Sequence, residues 1–564
     1  MKKNNNLKKQ SILQLLSVIA ILVFLNIISS RLYTRLDLTS EKRYSLSPSS
    51  KMLAGDLKEM VYFKIYLEGD LPPGFKQLRN ATRDILEEFR VYAGDRIEYQ
   101  FIDPSAGADD KERLKIYEQL SQKGLQPTQL EQHEKGSRSQ SLVFPAALVS
   151  FGSMEVPMQL LKSKIGGNPD EMLNNSIEGL EYEISTMLRK LTTPVSKSVA
   201  FLQGHSELST KQITDIANSL SEFYKVDTVK IDGKLQALKD YKVLIVAKPQ
   251  NAFDEKDKFI IDQFIMNGGR VLWLIDKMQI NMDSLSVENT NVAMSMELNL
   301  DDMLFHYGAR VNNDLILDLV AAPIPVVTGY VGDKPKMKLT PWYYFPLLNP
   351  ESKNPIVNNL NAIKAEFVST IDTIESPSIS KTVLLSSSNF CKIQLPPARV
   401  SLNILEEAPD PALFRKKYLP VAILLEGKFH SNYAKRIPQA IIESKEINFK
   451  ENSEPGKMIV ISDGDIIANH VSKKGTMFPL GYDRFTQQYY GNKNFILNCV
   501  DYLCDESGIL ELRGKELKLR LLDPVKTASP TMLTWFNVLS PVLLILLYGI
   551  IRNLWRKKHF GTKN

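Results

Sequence analysis

The stretch Met532 to Ile551, MLTWFNVLSPVLLILLYGII, holds no charged side chain. At about 1.5 Å of rise per residue it extends roughly 30 Å as a helix, the thickness of a bilayer's hydrocarbon core. A buried core helix is rarely this long without a charge, so the run predicts a membrane span. Trp535 and Tyr548 lie toward its two ends, where amphipathic rings settle at headgroup level, and Arg552, Arg556, Lys557 and Lys558 follow at once. A chain fastened here keeps everything before it beside a membrane.

A second uncharged run, Ser11 to Ile28, follows four lysines. A cleavable signal peptide has a shorter apolar region and a clearer small-x-small site than Ile28-Ser29-Ser30, so the run predicts an uncleaved anchor. Two spans put both termini on one side and the intervening chain on the other. The basic C-terminal cluster orients the tails inward. The expected ends are a tail at 1–10, a span at 11–28, a span at 532–551 and a tail at 552–564.

The formal charge of +6 belongs to those ends. Lys2, Lys3, Lys8, Lys9, Arg552, Arg556, Lys557, Lys558 and Lys563 are nine of the 70 cations, which leaves 61 against 64 acids. The region between the anchors is therefore near neutral and carries no nucleic-acid footprint. The three cysteines, Cys391, Cys499 and Cys504, are too few for a disulfide framework and have no zinc spacing, which marks them as buried small hydrophobes.

After the first anchor, Arg31 to Ser50 is polar with a turn at Ser47-Pro48. Val61–Leu67 and Arg96–Ile102 have strand composition, and Phe75–Tyr92 between them has helical spacing. Lys111–Lys123 reads as a helix, Ser141–Phe151 and Met154–Leu161 as a hairpin, and Glu171–Leu191 as one amphipathic helix. This order predicts a thioredoxin-like α/β domain over 31–191, without a Cys-x-x-Cys.

From Ser198 the pattern becomes that of a doubly wound parallel sheet, expected over 195–522. Ser198–Gly204, Lys225–Ile231, Lys242–Pro249 and Arg270–Asp276 are apolar runs alternating with helices at Thr210–Phe223 and Glu255–Asn267, the latter closed by Gly268-Gly269. Lys381–Ser388, Val421–Gly427 and Lys457–Asp465 resume the sheet, and Asn492–Leu503 closes it. Between them 313–355, rich in proline and aromatics, reads as an irregular insertion. Glu511–Leu522 leads to the final anchor.

No G-x-x-x-x-G-K-[ST] occurs, so the phosphate cradle of a P-loop NTPase is missing. Nor is there a G-x-S-x-G elbow, an H-E-x-x-H or a G-x-G-x-x-G at the first strand-to-helix turn. No catalytic, cofactor or metal set is expected. The remaining candidates sit at carboxyl ends of strands, where open α/β sheets bind ligands. His205 and Glu207 follow the first strand, as crevice groups or as turn and capping groups. Asp276, Asp463 and Asp465 are loop carboxylates, and the latter pair is too small an oxygen shell for a divalent cation. The six histidines show no pair at ligand spacing. Trp342, Tyr343 and Tyr344 read as exposed aromatics, either a partner-binding anchor or packing within the insertion.

Taken in order, the anchor followed by RLDLTSEKRYSLS, then YFKIYLEGDLP, IEYQFIDPS, VAFLQGHSE, YKVLIVAKP, NGGRVLWLID, VISDGDIIANH and YYGNKNFILNCVDYL resemble the GldG family of gliding-motility ABC transporter auxiliary proteins from Bacteroidota-type bacteria. The resemblance implies a non-ATPase component of the inner membrane with a large periplasmic, substrate-binding-like region. Its implied partners are an ATP-binding subunit, a multi-span permease and other motility or secretion components. It also implies a glutamine-amidotransferase-like second domain, but no cysteine stands in an elbow after any strand. The family supplies no catalytic residues to transfer. The alternatives are a periplasmic hydrolase or amidotransferase-like enzyme using His205 and Glu207, and a small-ligand sensor or carbohydrate-binding module with a concave pocket.

Overall fold

The computed structural model describes residues 13, 15–24, 26, 45–106, 110–134, 137–152, 154–161, 169–192, 197–283, 285, 289–331, 334–348, 350, 354–358, 360–436, 448–472, 474–504 and 530–560. Two units divide the chain, Met1–Glu516 and Leu517–Asn564. The first is mixed α/β. It holds an apolar helix at Leu15–Phe24, too short as described to cross a bilayer. The other residues expected to complete that anchor, 11, 12, 14, 25, 27 and 28, and the polar stretch 31–44 fall partly or wholly outside the described residues, as does 511–522.

Ser47-Pro48 is a helix start instead of a turn. The Ser47 hydroxyl accepts from Ser50 N at the head of α1 (Pro48–Gly55), with the proline in the first turn, where its missing N–H costs nothing. A four-stranded sheet follows, built from β1 (Val61–Ile65), β2 (Ile97–Phe101), β5 (Ala146–Phe151) and β6 (Met154–Gln159) in the order β2-β1-β5-β6. β1 and β2 run parallel across α2 (Pro73–Ala93); β5 is antiparallel to both β1 and β6. α3 (Asp110–Gln122) precedes a separate hairpin of β3 (Thr128–Glu134) and β4 (Ser137–Val143). The single strand expected from Ser141 is therefore split at Phe144-Pro145, where proline supplies no ladder donor. Phe63, Ile65, Leu78, Leu86 and Phe89 form the core of this region with Ile184 and Leu188. Those last two come from α5 (Leu180–Thr192), which Gly179 separates from α4 (Pro169–Glu178), so the one expected helix is two.

A seven-stranded sheet comes next. Its parallel part is β7 (Ser198–Leu202), β8 (Lys225–Val229), β9 (Val243–Ala247), β10 (Arg270–Leu274) and a late strand, β16 (Gly456–Ile461). Apart from the edge strand β8, which is exposed or half-buried along its length, these apolar runs are continuous because both faces are covered. Val199, Phe201, Ile245, Leu272 and Ile459 pack with α6 (Thr210–Ser221) and α9 (Asn492–Cys504). Ala200, Leu202, Leu244, Val246 and Trp273 pack on the other side with α7 (Glu255–Met266) and α8 (Asp301–Tyr307). α7 ends with Gly268 N donating to Ile265 O and Gly269 N to Phe264 O, and Gly268 has φ +91°. Glycine suits that left-handed position, as its placement in the sequence predicts.

The sheet is not parallel throughout. Its order is β14-β15-β16-β10-β9-β7-β8, and β15 (Pro420–Gly427) is antiparallel both to β16 and to β14 (Ile379–Ser386). A parallel neighbour requires a crossover, usually helical, and no α-helix lies between Ser386 and Pro420.

The insertion expected to be irregular is a long antiparallel ribbon, β11 (Ala321–Val331) with β12 (Lys334–Leu348), and β13 (Ile363–Lys364) adds to its base. Pro323 faces Pro341 across the ribbon, so the prolines occupy positions that owe no ladder hydrogen bond.

The second unit holds α10 (Pro530–Phe560). Within it Phe536–Trp555 has mean hydropathy 1.8 and is long and apolar enough to cross a membrane, with none of that window buried. The helix continues beyond the expected end of the span at Ile551, through Arg552 and into the basic tail.

Candidate functional site

Chain order and sheet order together place a reversal between β7 and β9. From β7 the chain steps out to the edge strand β8, then returns to β9 on the other side and continues to β10 and β16. Open α/β sheets form their crevice at such a point, beyond the strands' carboxyl ends. In this chain the crevice is filled by its own loops.

His205 and Glu207 come together there. Glu207 Oε2 accepts from the backbone N–H groups of Gly204 (2.9 Å) and His205 (2.8 Å), and its other oxygen lies 3.3 Å from His205 Nδ1. His205 Nε2 is 3.4 Å from Asp257 Oδ2 on α7, and the ring stacks on Phe253 at 3.7 Å between centroids. His205 O accepts from Gln250 N and Asn251 N, which ties the β7 loop to the β9 loop. Burial raises the Asp257 carboxyl above its ordinary value, with the Gly233 N–H and His205 acting against that. The histidine is 7% exposed and wedged between two carboxylates and an aromatic ring.

Asp276, Asp463 and Asp465 meet one strand over, around a lysine that local pattern did not single out. Lys248 Nζ lies 3.1 Å from Asp276 Oδ2 and 2.5 Å from Asp465 Oδ2. Asp276 Oδ1 accepts from Gly464 N, while Asp463 accepts from Asp465 N and Glu366 N at 2.7 Å each. Lys248 has φ +54°, and a Cβ on Gly464 would stand 2.5 Å from the Lys248 Cβ, so only glycine fits opposite it. Burial acts against the Lys248 ammonium, but Asp276 and Asp465 outweigh it and hold the group above its ordinary value. Burial pushes Asp465 up to about 6, and Asp463 is driven up by burial and by its two acidic neighbours. A lysine ammonium thus holds the place that a cation between these carboxylates would take. Among the described residues no group of three or more His, Cys, Asp or Glu side chains converges as a metal shell.

Trp342, Tyr343 and Tyr344 are not exposed. They lie on β12 with relative exposures of 0%, 8% and 1%, in a core with Leu315, Leu317 and Phe414. Both faces of that strand are covered, so adjacent aromatics are buried in succession instead of alternately. They do not form a surface with the two polar clusters.

Sequence reasoning missed a cleft of about 990 Å³ beside the β11–β12 ribbon. It shares Lys364, Glu366, His470, Asp483, Arg484 and Phe485 with a recess of about 110 Å³ that reaches Asp465. Burial opposes the Lys364 ammonium, yet Glu366, 2.8 Å away, holds it above its ordinary value. His470 is lowered by burial and by Arg484. These residues come from segments more than a hundred positions apart, so no local motif announces them. Lys248 had a signal: it follows a buried strand, as Gly204, Asp276 and Asp463 do.

The molecule thus combines a doubly wound sheet whose carboxyl-edge side chains bond to one another or to backbone with an open polar cleft alongside. The chain belongs to the family of ABC-type uncharacterized transport system auxiliary domains, whose model matches residues 196–499. A domain of unknown function (DUF7088) matches residues 40–150. An uncharacterized protein of Borreliella burgdorferi is 21% identical over 556 residues, 96% of this chain and 96% of that protein. The solved mmIFT52 N-terminal domain is similar at a TM-score of 0.31 and 15% identity, over 55% of this chain and 99% of that one. The chain is an auxiliary protein of an ABC-type transport system.

Proposed function

We propose that this chain is a non-ATPase, membrane-anchored component of an ABC transporter, of the GldG kind associated with gliding motility and surface-protein export. Its two spans hold it in the inner membrane with both termini cytoplasmic. The periplasmic regions 31–191 and 195–522 bind a partner or substrate. The apolar helices at Leu15–Phe24 and Phe536–Trp555 support the anchoring. The order β2-β1-β5-β6 supports a thioredoxin-like first region, and the helices on both faces of the larger sheet support an amidotransferase-like second one.

The observation that carries the non-catalytic reading is the closed carboxyl edge. Glu207, Asp276, Asp463 and Lys248 are bonded to each other or to backbone, within a region that matches the transport family. Purified in mild detergent, the full-length protein is expected to bring with it an ATP-binding subunit and a multi-span permease, and to turn over no ATP alone. Recovery of neither subunit, with motility intact after deletion, overturns this reading.

A hydrolase built on His205 and Glu207 is the second reading, and the 3.3 and 3.4 Å contacts of the imidazole favour it. An unchanged phenotype for His205→Ala at normal abundance dismisses it.

A further inference from the structure

The ribbon turns its edge to the cleft. Pro323, Ile324, Pro325, Val326, Val327 and Thr328 all line it, six residues in a row. A strand facing a space broadside shows every second residue; one that lines it without a gap lies edge-on. β11 pairs with β12 and has no second neighbour among the described residues, so its outer edge is free.

Such an edge normally invites another strand. This one is blunted. Pro323 stands opposite Pro341 and Pro325 opposite Leu339, while Ile324 and Val326 face Thr340 and Lys338 between them. Residues that bond across an antiparallel ladder alternate with residues whose backbone groups point outward. Proline cannot bond across the ladder, so Pro323 and Pro325 are the outward pair. They present two carbonyl oxygens and no N–H. An extended peptide laid here would leave its own carbonyls unpaired. Val327, the next outward position, supplies an N–H, so a ligand that suits this edge brings more donors than acceptors.

The rest of the lining fits a neutral polyol. Lys338, Lys364 and Arg484 share the lining with Asp283, Glu366, Glu406 and Asp483, so three cations meet four acids, and the field offers no surplus cation for a phosphate and an excess of one acid only. Asp483 uses one oxygen, Oδ1, on the backbone of Phe485 and Thr486. Tyr490, 6% exposed, lines the inner recess, and burial with Asp483 nearby keeps its phenol protonated, able both to donate and to accept. Phe485 is 45% exposed and carries the Arg484 guanidinium 4.6 Å from its centroid, an apolar plate beside polar groups. Sugars have that pairing of requirements: hydroxyls around the ring edge and a C–H face.

We propose that the cleft between the β11 edge and the 470–490 segment binds a short neutral oligosaccharide, such as a segment of an envelope or surface glycan. The inference rests on the reading of this region as the substrate-binding part of a transport complex. The test is titration of the full-length protein in detergent with neutral gluco-, manno-, galacto- and N-acetylglucosamine trisaccharides, and with uncharged heptapeptides. Saturable binding of at least one trisaccharide is expected. Phe485→Ala, and Arg484→Ala with Glu406→Gln, should weaken it tenfold or more, and His205→Gln should leave it unchanged. Failure of every trisaccharide to bind, indifference to the cleft substitutions, or preference for the heptapeptides overturns the proposal. Co-purification of the ATP-binding subunit is scored on the same preparation. If it persists without sugar binding, only the ligand class is wrong; if it is lost, the transport-complex reading has failed.

Discussion

The carboxyl edge of the large sheet and the cleft beside it are built from the same residue types and differ in what those residues are bonded to. At the edge, Lys248 is spent on Asp276 and Asp465, and Glu207 on two backbone N–H groups. In the cleft, Phe485 is half-exposed and Arg484 meets a ring face instead of a carboxylate. Polar groups that satisfy one another inside a protein fix its shape, whereas those left facing an open space can serve a ligand. The place where sheet topology locates a crevice is structural here, and the open site lies against an inserted ribbon.

The largest effect that would sharpen this contrast is at Lys248. Lys248→Ala strands the Asp276 and Asp465 carboxylates away from water, and removing one partner of a buried pair costs about 3–5 kcal/mol. A denaturant midpoint of the full-length protein should fall accordingly; an unchanged midpoint would mean the cluster is wetter than described. His205→Ala comes next. It removes the stack on Phe253 and the contacts to Glu207 and Asp257 but leaves the N–H bonds to Glu207, for a loss of about 1–3 kcal/mol in the same measurement.

The third prediction concerns pH. Asp465 keeps its proton up to about 6 in the folded state, mainly through burial, against an ordinary 3.8. Between those values the folded chain holds a proton that the unfolded chain has released, so its contribution to stability falls as pH rises. The raised Lys248 ammonium stays charged across that window and adds no slope. Carboxylates held low by ion pairs, such as Glu155 and Glu255, slope the other way. The melting temperature of Asp465→Asn minus that of the wild type should therefore climb from pH 4 to pH 6, and a flat difference contradicts the assignment. The smallest effect belongs to the cleft: Arg484→Ala, Glu406→Gln and Phe485→Ala change exposed side chains and should each alter stability by less than about 0.5 kcal/mol.

Much of the parallel sheet was legible because continuous apolar runs such as Val243–Ala247 have few other uses. Helix ends were legible where a special backbone angle demands a residue, as at Gly268. The antiparallel returns of β14 and β15 were not, because a buried strand has the same composition in either direction. The ribbon escaped because its prolines suggest irregular structure in a linear reading, and only the pairing of Pro323 with Pro341 reveals that both sit where no donor is needed. Trp342, Tyr343 and Tyr344 misled for a related reason: in an irregular insertion they read as exposed, whereas they sit on a strand closed on both faces. Of the candidate residues, the strand-end positions were visible one by one. Their bonding was not: Lys248 and Asp465 are 217 positions apart, and the cleft is assembled from several segments spread between Met282 and Phe485.

The central claim, that recognition lies in the open cleft while the sheet edge only shapes the fold, is tested most directly by complementation. A host lacking this chain would receive full-length His205→Gln or the triple variant Arg484→Ala, Glu406→Gln, Phe485→Ala, matched for abundance, with the transport-dependent phenotype lost on deletion as the readout. The account predicts that His205→Gln restores the phenotype and the cleft variant does not. Restoration by the cleft variant together with failure of His205→Gln would contradict it.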